Sequence, residues 1–284
     1  MNAVARIHPT APVSASARLA RWVLPLAALA AALFVARLLL PRSGLFRTVI
    51  SPHALQAIGA LSKLAFLLLA AVFAWSTARA FDAGNPVRPA WRLLAFGLVA
   101  FFLGQLSYAP YQLVLNQDPP FPSVADVLFM LAYPLFVVAL FAFIRAYESA
   151  GYPVGSARAR AAVAAAVVGC GVVVGYLVLQ PVIAGPSSGV AKLLNVAYPL
   201  LDLVLLVPTV LLMRMTAALR GGAAWKTWAA LLAGFVFLSV GDILFAYLPT
   251  VGRDGVDPLI HAMYILSYAL TAYGVLRQHE LLTS

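Results

Sequence analysis

Apolar residues fall along this chain in eight stretches of membrane length, parted by short breaks rich in Gly, Pro, Ser or charge. They cover residues 22–40, 54–78, 91–113, 124–144, 161–181, 191–213, 226–248 and 258–276. A bilayer core ~30 Å thick requires about 20 consecutive apolar residues per helix, so each stretch predicts a spanning α-helix. The expected fold is an all-α polytopic membrane bundle. A cytoplasmic segment, 1–21, precedes one transmembrane domain, 22–276, and a short tail, 277–284, follows it. No break is long or polar enough to fold as a soluble domain.

Polar residues inside the apolar runs recur at i, i+3 and i+7, which places them on one helix face. The third run carries Gln105, Tyr108 and Gln112; the fourth carries Asp126 and Tyr133, with Phe129 between them. The sixth carries Asn195, Tyr198 and Asp202, and the eighth His261, Tyr264 and Tyr268. Gln56 and Lys63 in the second run, and Asp242 in the seventh, complete the set. An ionised side chain at bilayer depth costs ~2.5–3.5 kcal/mol on insertion scales, so such groups face a partner or a wet cavity. Asp202, midway along its run, is the most expensive of them.

Two readings follow. In one, these stripes converge on a pocket in which Asp202 and Asp242 bind a ligand, cation or proton, Lys63 is the counter-charge, and Asp126 neighbours His261. In the other, the polar groups pair between helices and only fix the packing. The ligand-binding candidates are Lys63, Gln105, Tyr108, Asp126, Tyr133, Asn195, Tyr198, Asp202, Asp242, His261, Tyr264 and Tyr268. Pro134 and Pro199, each following a Tyr, leave the carbonyls of Met130 and Asn195 without their usual helical donors. The resulting bends either shape a cavity or are inert. Ser123 is placed to cap the fourth helix, with Asp126 in its first turn.

A weak internal repeat is also present. FFLGQLSYAPYQ and PSVADVLFMLAYPL align with VFLSVGDILFAYL and DPLIHAMYILSYAL, which sets Gly104 on Gly241, Gln105 on Asp242, Tyr108 on Phe245, Phe129 on Tyr264 and Tyr133 on Tyr268. Four runs in each half, 22–145 and 161–276, make the repeat parallel.

Composition agrees with this picture: of 284 residues, 63% are hydrophobic and 10% charged, against roughly 45–50% and 25% in soluble proteins. The formal charge of +10 does not indicate nucleic acid, because the basic residues form no run interleaved with aromatics. They mark topology. Arg6, Arg18, Arg21, Arg79, Arg88, Arg92, Arg145, Arg158, Arg160, Arg214, Arg220, Lys226 and Arg277 fall on the side of the termini, with fewer basic residues opposite. The positive-inside rule then puts both termini in the cytoplasm, although Arg37, Arg42 and Arg47 run against the trend. The first run is longer than a signal-peptide core and has no clean cleavage site, so it is expected to remain as a helix.

Other motifs carry less. The one cysteine, Cys170, precludes an intrachain disulfide framework. GCGVVVG lies in mid-helix and does not read as a nucleotide loop; Gly171 and Gly175 instead offer a small-residue packing surface. Neither a metal-ligand spacing nor a catalytic triad stands out, so an enzyme is the less supported class and no cofactor is expected.

PFPSVADVLFMLAYPL, AYPLLDLVLL and GDILFAY followed by HAMYILSYAL together resemble the multi-spanning N-terminal sensor region of many bacterial diguanylate cyclases and some histidine kinases. The resemblance covers about residues 95–276 and rests on Pro122, Ser123, Asp126, Tyr133, Pro134, Tyr198, Pro199, Asp202, Gly241 and Asp242. Gln105 stands where the first Gly-Asp pair would have its Asp, and no Gly-Gly-Asp/Glu-Glu-Phe domain follows the last run. The resemblance implies a sensor-like module with no known ligand; together with the topology, the expectation is a bacterial inner-membrane protein with a cleft open to the periplasm that binds an unknown small ligand, signalling through a partner in trans. The rival expectation is a small proton- or solute-coupled transporter using Asp202 and Asp242; a lipid-acting membrane enzyme is a third.

Overall fold

Eight helices in the computed structural model are long and apolar enough to cross a membrane. The structure describes residues 14–185, 189–217, 222–253 and 257–283. The helices are α1 (Ala15–Leu39), α2 (Pro52–Ala80), α3 (Val87–Ala109), α4 (Val124–Ser149), α5 (Ala157–Val174), α6 (Gly189–Met215), α7 (Ala223–Tyr247) and α8 (Asp257–Thr283). Among the described residues there is no strand, and the chain is an all-α, multi-pass membrane protein.

Most helices outrun their apolar cores. α1 begins at Ala15, inside the segment expected to precede it, and α8 continues to Thr283 through the expected tail. At the helix starts the reason is local capping. Ser14, Ser51 and Ser156 each accept a backbone N–H in the first turn of α1, α2 and α5, a donor that would otherwise lack a partner. α3 ends differently: Pro110 opens a π-helical turn, Pro110–Leu115, and Asn116 closes it in the left-handed region at φ 51°. Arg6 and Arg220, two of the charges that mark the topology, lie outside the described residues.

On α1 and α2 the inward face is mostly alanine, the arrangement that lets helices approach closely in lipid. On α1, Ala20, Val23, Ala27, Ala30 and Ala31 are buried while Trp22, Leu26 and Leu29 are exposed. On α2, Ala70, Ala71, Ala74 and Ala78 are buried, and Leu68, Val72 and Trp75 are exposed.

Two helical hairpins, α3–α4 and α7–α8, make the centre. α2 bridges α3 and α8, α1 packs along α8, and α6 fits between α4 and α7. α5 stands outside: it touches α6, and Val163 is the buried residue within Ala157–Val174. The small-residue surface expected there does not form a close contact within the chain. A Cβ at Gly171 would meet Leu203 at an ordinary 3.5 Å, and one at Gly175 would meet nothing within 4 Å. Gly171 faces the Leu203 side chain of α6, which keeps the two backbones apart.

The repeat is visible as contacts. A Cβ on Gly104 would stand 2.4 Å from Phe129, and one on Gly241 would stand 2.8 Å from Tyr264. Two turns earlier the pattern recurs: a Cβ on Gly97 would overlap the ring of Phe136, and one on Gly234 would stand 2.8 Å from Thr271. Trp91 and Trp228 occupy corresponding places, each 1% exposed, and both pack edge-on against Phe143 at centroid distances of 5.1 and 5.0 Å. Each hairpin is therefore clamped by the same device, a glycine that lets a side chain of the facing helix lie across its backbone.

Candidate functional site

The hairpins meet near the ends of α3, α4, α7 and α8 that are remote from the chain termini. Ser123 starts α4 there. Its side chain accepts the Ala125 N–H at 3.2 Å, while Asp126 Oδ2 accepts the Ser123 N–H at 2.6 Å, a reciprocal capping box. The same carboxylate reaches across to α6, where Tyr198 donates to Oδ1 at 2.8 Å. Asp126 thus ties a helix start to a neighbouring helix.

Deeper in the bundle, Tyr133 of α4 carries one phenolic proton between two carboxylates. Its hydroxyl lies 2.7 Å from Asp202 Oδ1 on α6 and 3.3 Å from Asp242 Oδ2 on α7. The shorter contact is the better hydrogen bond. Asp242 keeps a second donor, Tyr264 of α8, at 2.6 Å. Asp202 is 1% exposed, and its Oδ2 has no hydrogen-bond partner among the described residues.

Across the pseudo-symmetric centre, Gln105 donates to Tyr268 at 3.3 Å. This pair is the repeat image of Asp242 with Tyr133: Gln105 corresponds to Asp242, and Tyr268 to Tyr133. Each hairpin sends the tyrosine of its second helix to the polar residue on the first helix of the other. Where one side has an amide, the other has a carboxylate.

Around this network lies a cavity of about 90 Å³. Gln105, Tyr108, Asp126, Tyr133, Tyr198, Asp242, Tyr264 and Tyr268 line it, together with Phe101, Phe121, Phe129, Leu238 and Phe245. A second cavity, of about 250 Å³, adjoins it toward the α3–α4 connection and is lined by Lys63, Asp118, Asp257 and His261, among others. Most sequence candidates therefore do converge. Asp202 stands one hydrogen bond behind the first cavity, through Tyr133.

Three expectations are corrected. Asn195 lines neither cavity, and its Oδ1 is buried without a partner among the described residues; sharing a helix face with Tyr198 and Asp202 did not extend its reach another turn. His261 does not neighbour Asp126. It meets Lys63, Nδ1 to Nζ at 3.5 Å, and packs on Phe34 at 5.2 Å. Asp126 and His261 hold equivalent places in the repeat, so the pseudo-symmetry puts them on opposite sides of the centre. For the same reason Lys63, which α2 brings to the His261 side, forms no ion pair with Asp202 or Asp242; the one side-chain ion pair among the described residues is Arg277 with Glu280.

The apolar lining was not among the sequence candidates. Phe101 and Leu238 each precede a repeat glycine by three residues, and that spacing puts both on the cavity face. Phe245, the repeat image of Tyr108, packs edge-on with Phe121 at 5.2 Å. Among the described residues no group of three His, Cys, Asp or Glu is placed to hold a metal ion. No family model, curated protein or solved structure matches the chain, so function is argued from this geometry.

Proposed function

We infer that this is a sensor-like, ligand-binding protein of the bacterial inner membrane, with a pocket open to the periplasm and an output delivered by a partner in trans. One observation carries the inference: five helices contribute polar side chains to a single cavity at the end of the bundle remote from the termini. If the groups served packing alone, they would close on one another and leave no space between them. With both termini in the cytoplasm, as the basic residues suggest, that end faces outward.

The contact of Tyr133 with both Asp202 and Asp242 also supports a rival, a proton-coupled carrier, because a single hydroxyl between two carboxylates is a route for a proton. One experiment tests the orientation and a second separates the two readings. Phe245 lines both cavities, so Phe245→Cys in a Cys170→Ser background reacts with a membrane-impermeant maleimide added from the periplasmic side. Reaction from the cytoplasmic side alone reverses the orientation. In proteoliposomes, a proton leak that depends on Asp202 identifies the carrier, and the sensor gives none.

A further inference from the structure

Tyr133 has one hydroxyl hydrogen and two carboxyl neighbours, Asp202 of α6 at 2.7 Å and Asp242 of α7 at 3.3 Å. One hydrogen cannot serve both fully. Asp242 has a second donor in Tyr264, at 2.6 Å. Asp202 is 1% exposed, and its Oδ2 is buried without a partner among the described residues. The two carboxyl groups are also within hydrogen-bonding reach of each other. As carboxylates both are acceptors only, so no bond can join them.

No positive charge offsets the pair. Among the described residues, no Lys, Arg or His stands within ion-pair distance of Asp202 or Asp242. The titratable groups facing them are Tyr133 and Asp126 from α4, Tyr198 from α6 itself, Tyr264 and Tyr268 from α8, and Tyr108 from α3. α5, the remaining neighbour of α6, brings Cys170, which is exposed. All of these groups are neutral or acidic. Lys63 and His261 line the adjoining cavity, together with Asp118 and Asp257. Two ionised carboxylates around one hydroxyl, at this depth and without a cation, repel each other and lack solvation. Carboxyl pairs in such contact resolve the conflict by holding one proton between them.

We propose that Asp202 and Asp242 share one proton, which makes the proton a ligand of this site. A proton on Asp202 Oδ2 supplies the donor that joins the two groups, leaves Asp202 Oδ1 to accept from Tyr133 and removes one of the two charges. Asp242 lines the smaller cavity, so water entering that space takes up the proton when it leaves, one carboxylic acid giving one carboxylate. The assignment rests on the pocket reading above, which supplies exchange with the periplasm, and it names the signal as acidity.

The test is infrared spectroscopy of the full chain in lipid nanodiscs, with equilibrium unfolding in mixed micelles beside it. The chain has nine Asp and Glu residues, so substitution assigns the signal. The carbonyl stretch of a protonated carboxylic acid is expected at neutral pH, shifted in heavy water, lost as pH rises, and absent from Asp202→Asn. The amide has the shape of the neutral acid, so this variant is expected to fold at neutral pH. Carboxylates in the unfolded chain are ionised near neutrality, so the folded parent binds the extra proton. Its folding constant should then fall about tenfold per pH unit, relative to Asp202→Asn, until the band is gone. A parent without the band, a band that persists in Asp202→Asn, a variant that cannot fold at neutral pH, or parallel pH profiles for the two proteins overturns the shared proton. None of these outcomes touches the pocket, which the maleimide reaction at Phe245→Cys decides: an inert cysteine with the band present removes the access route and leaves the proton bound.

Discussion

Gly104 lies so close beneath the ring of Phe129 that a Cβ at that position would stand 2.4 Å from the ring's edge. The same relation joins Gly241 to Tyr264 at 2.8 Å. Gly104→Ala must push the ring aside, and a forced repacking of this kind costs about 1–3 kcal/mol. Thermal melting in detergent should show the loss, with Phe129→Leu recovering part of it in the double variant. Equal stability of Gly104→Ala and the parent would mean that the two helices have room to separate.

Tyr133 and Asp202 form the deepest polar contact of the site. Tyr133→Phe leaves a buried carboxylate oxygen without a donor, which costs about 1–3 kcal/mol. Asp202→Asn keeps an oxygen at the same place for the hydroxyl and should cost less. Reversible unfolding of both variants ranks them, and the opposite order would show that Asp202 does not depend on the phenol.

Phe143 holds two indoles at once, Trp91 at 5.1 Å and Trp228 at 5.0 Å. Either Trp→Ala change should cost about 3–5 kcal/mol, as for other large buried side chains. Double-mutant cycles with Phe143→Leu should give couplings of similar size for the two tryptophans, about 0.5–1.5 kcal/mol for an aromatic pair. A coupling confined to Trp91 would show that Phe143 holds its own hairpin together and contributes nothing to the contact between hairpins.

Asp126 serves the cap of α4 and the hydroxyl of Tyr198 together. Ser123→Ala should cost about 1 kcal/mol, the usual worth of an N-cap side chain. Asp126→Ala removes both contacts and should cost more. Matching melting temperatures for the two variants would show that the bond to Tyr198 contributes nothing.

Much of the site was legible before the fold. Spacing by three, four and seven identified the helix faces of Tyr133, Tyr264 and Tyr268, and Ser123 with Asp126 announced the start of α4. Lys63 was expected beside the carboxylates and His261 beside Asp126, yet both line the adjoining cavity and Asn195 lines neither. A stripe states which side of a helix is polar and leaves open which neighbour that side meets. The repeat held the missing information in part, because residues at equivalent positions stand on opposite sides of a pseudo-symmetric centre. That is why Asp126 and His261 belong to different neighbourhoods.

Eight membrane helices, their polar stripes and the alignment of Gly104 with Gly241 follow from residue order alone, since hydropathy, helical period and repeats are properties of the chain itself. The pairing of Tyr133 with the carboxylates of two other helices, the exclusion of Asn195 and the isolation of Lys63 belong to the tertiary structure. They depend on which helices lie side by side, and small inward residues permit several such arrangements until the whole bundle closes.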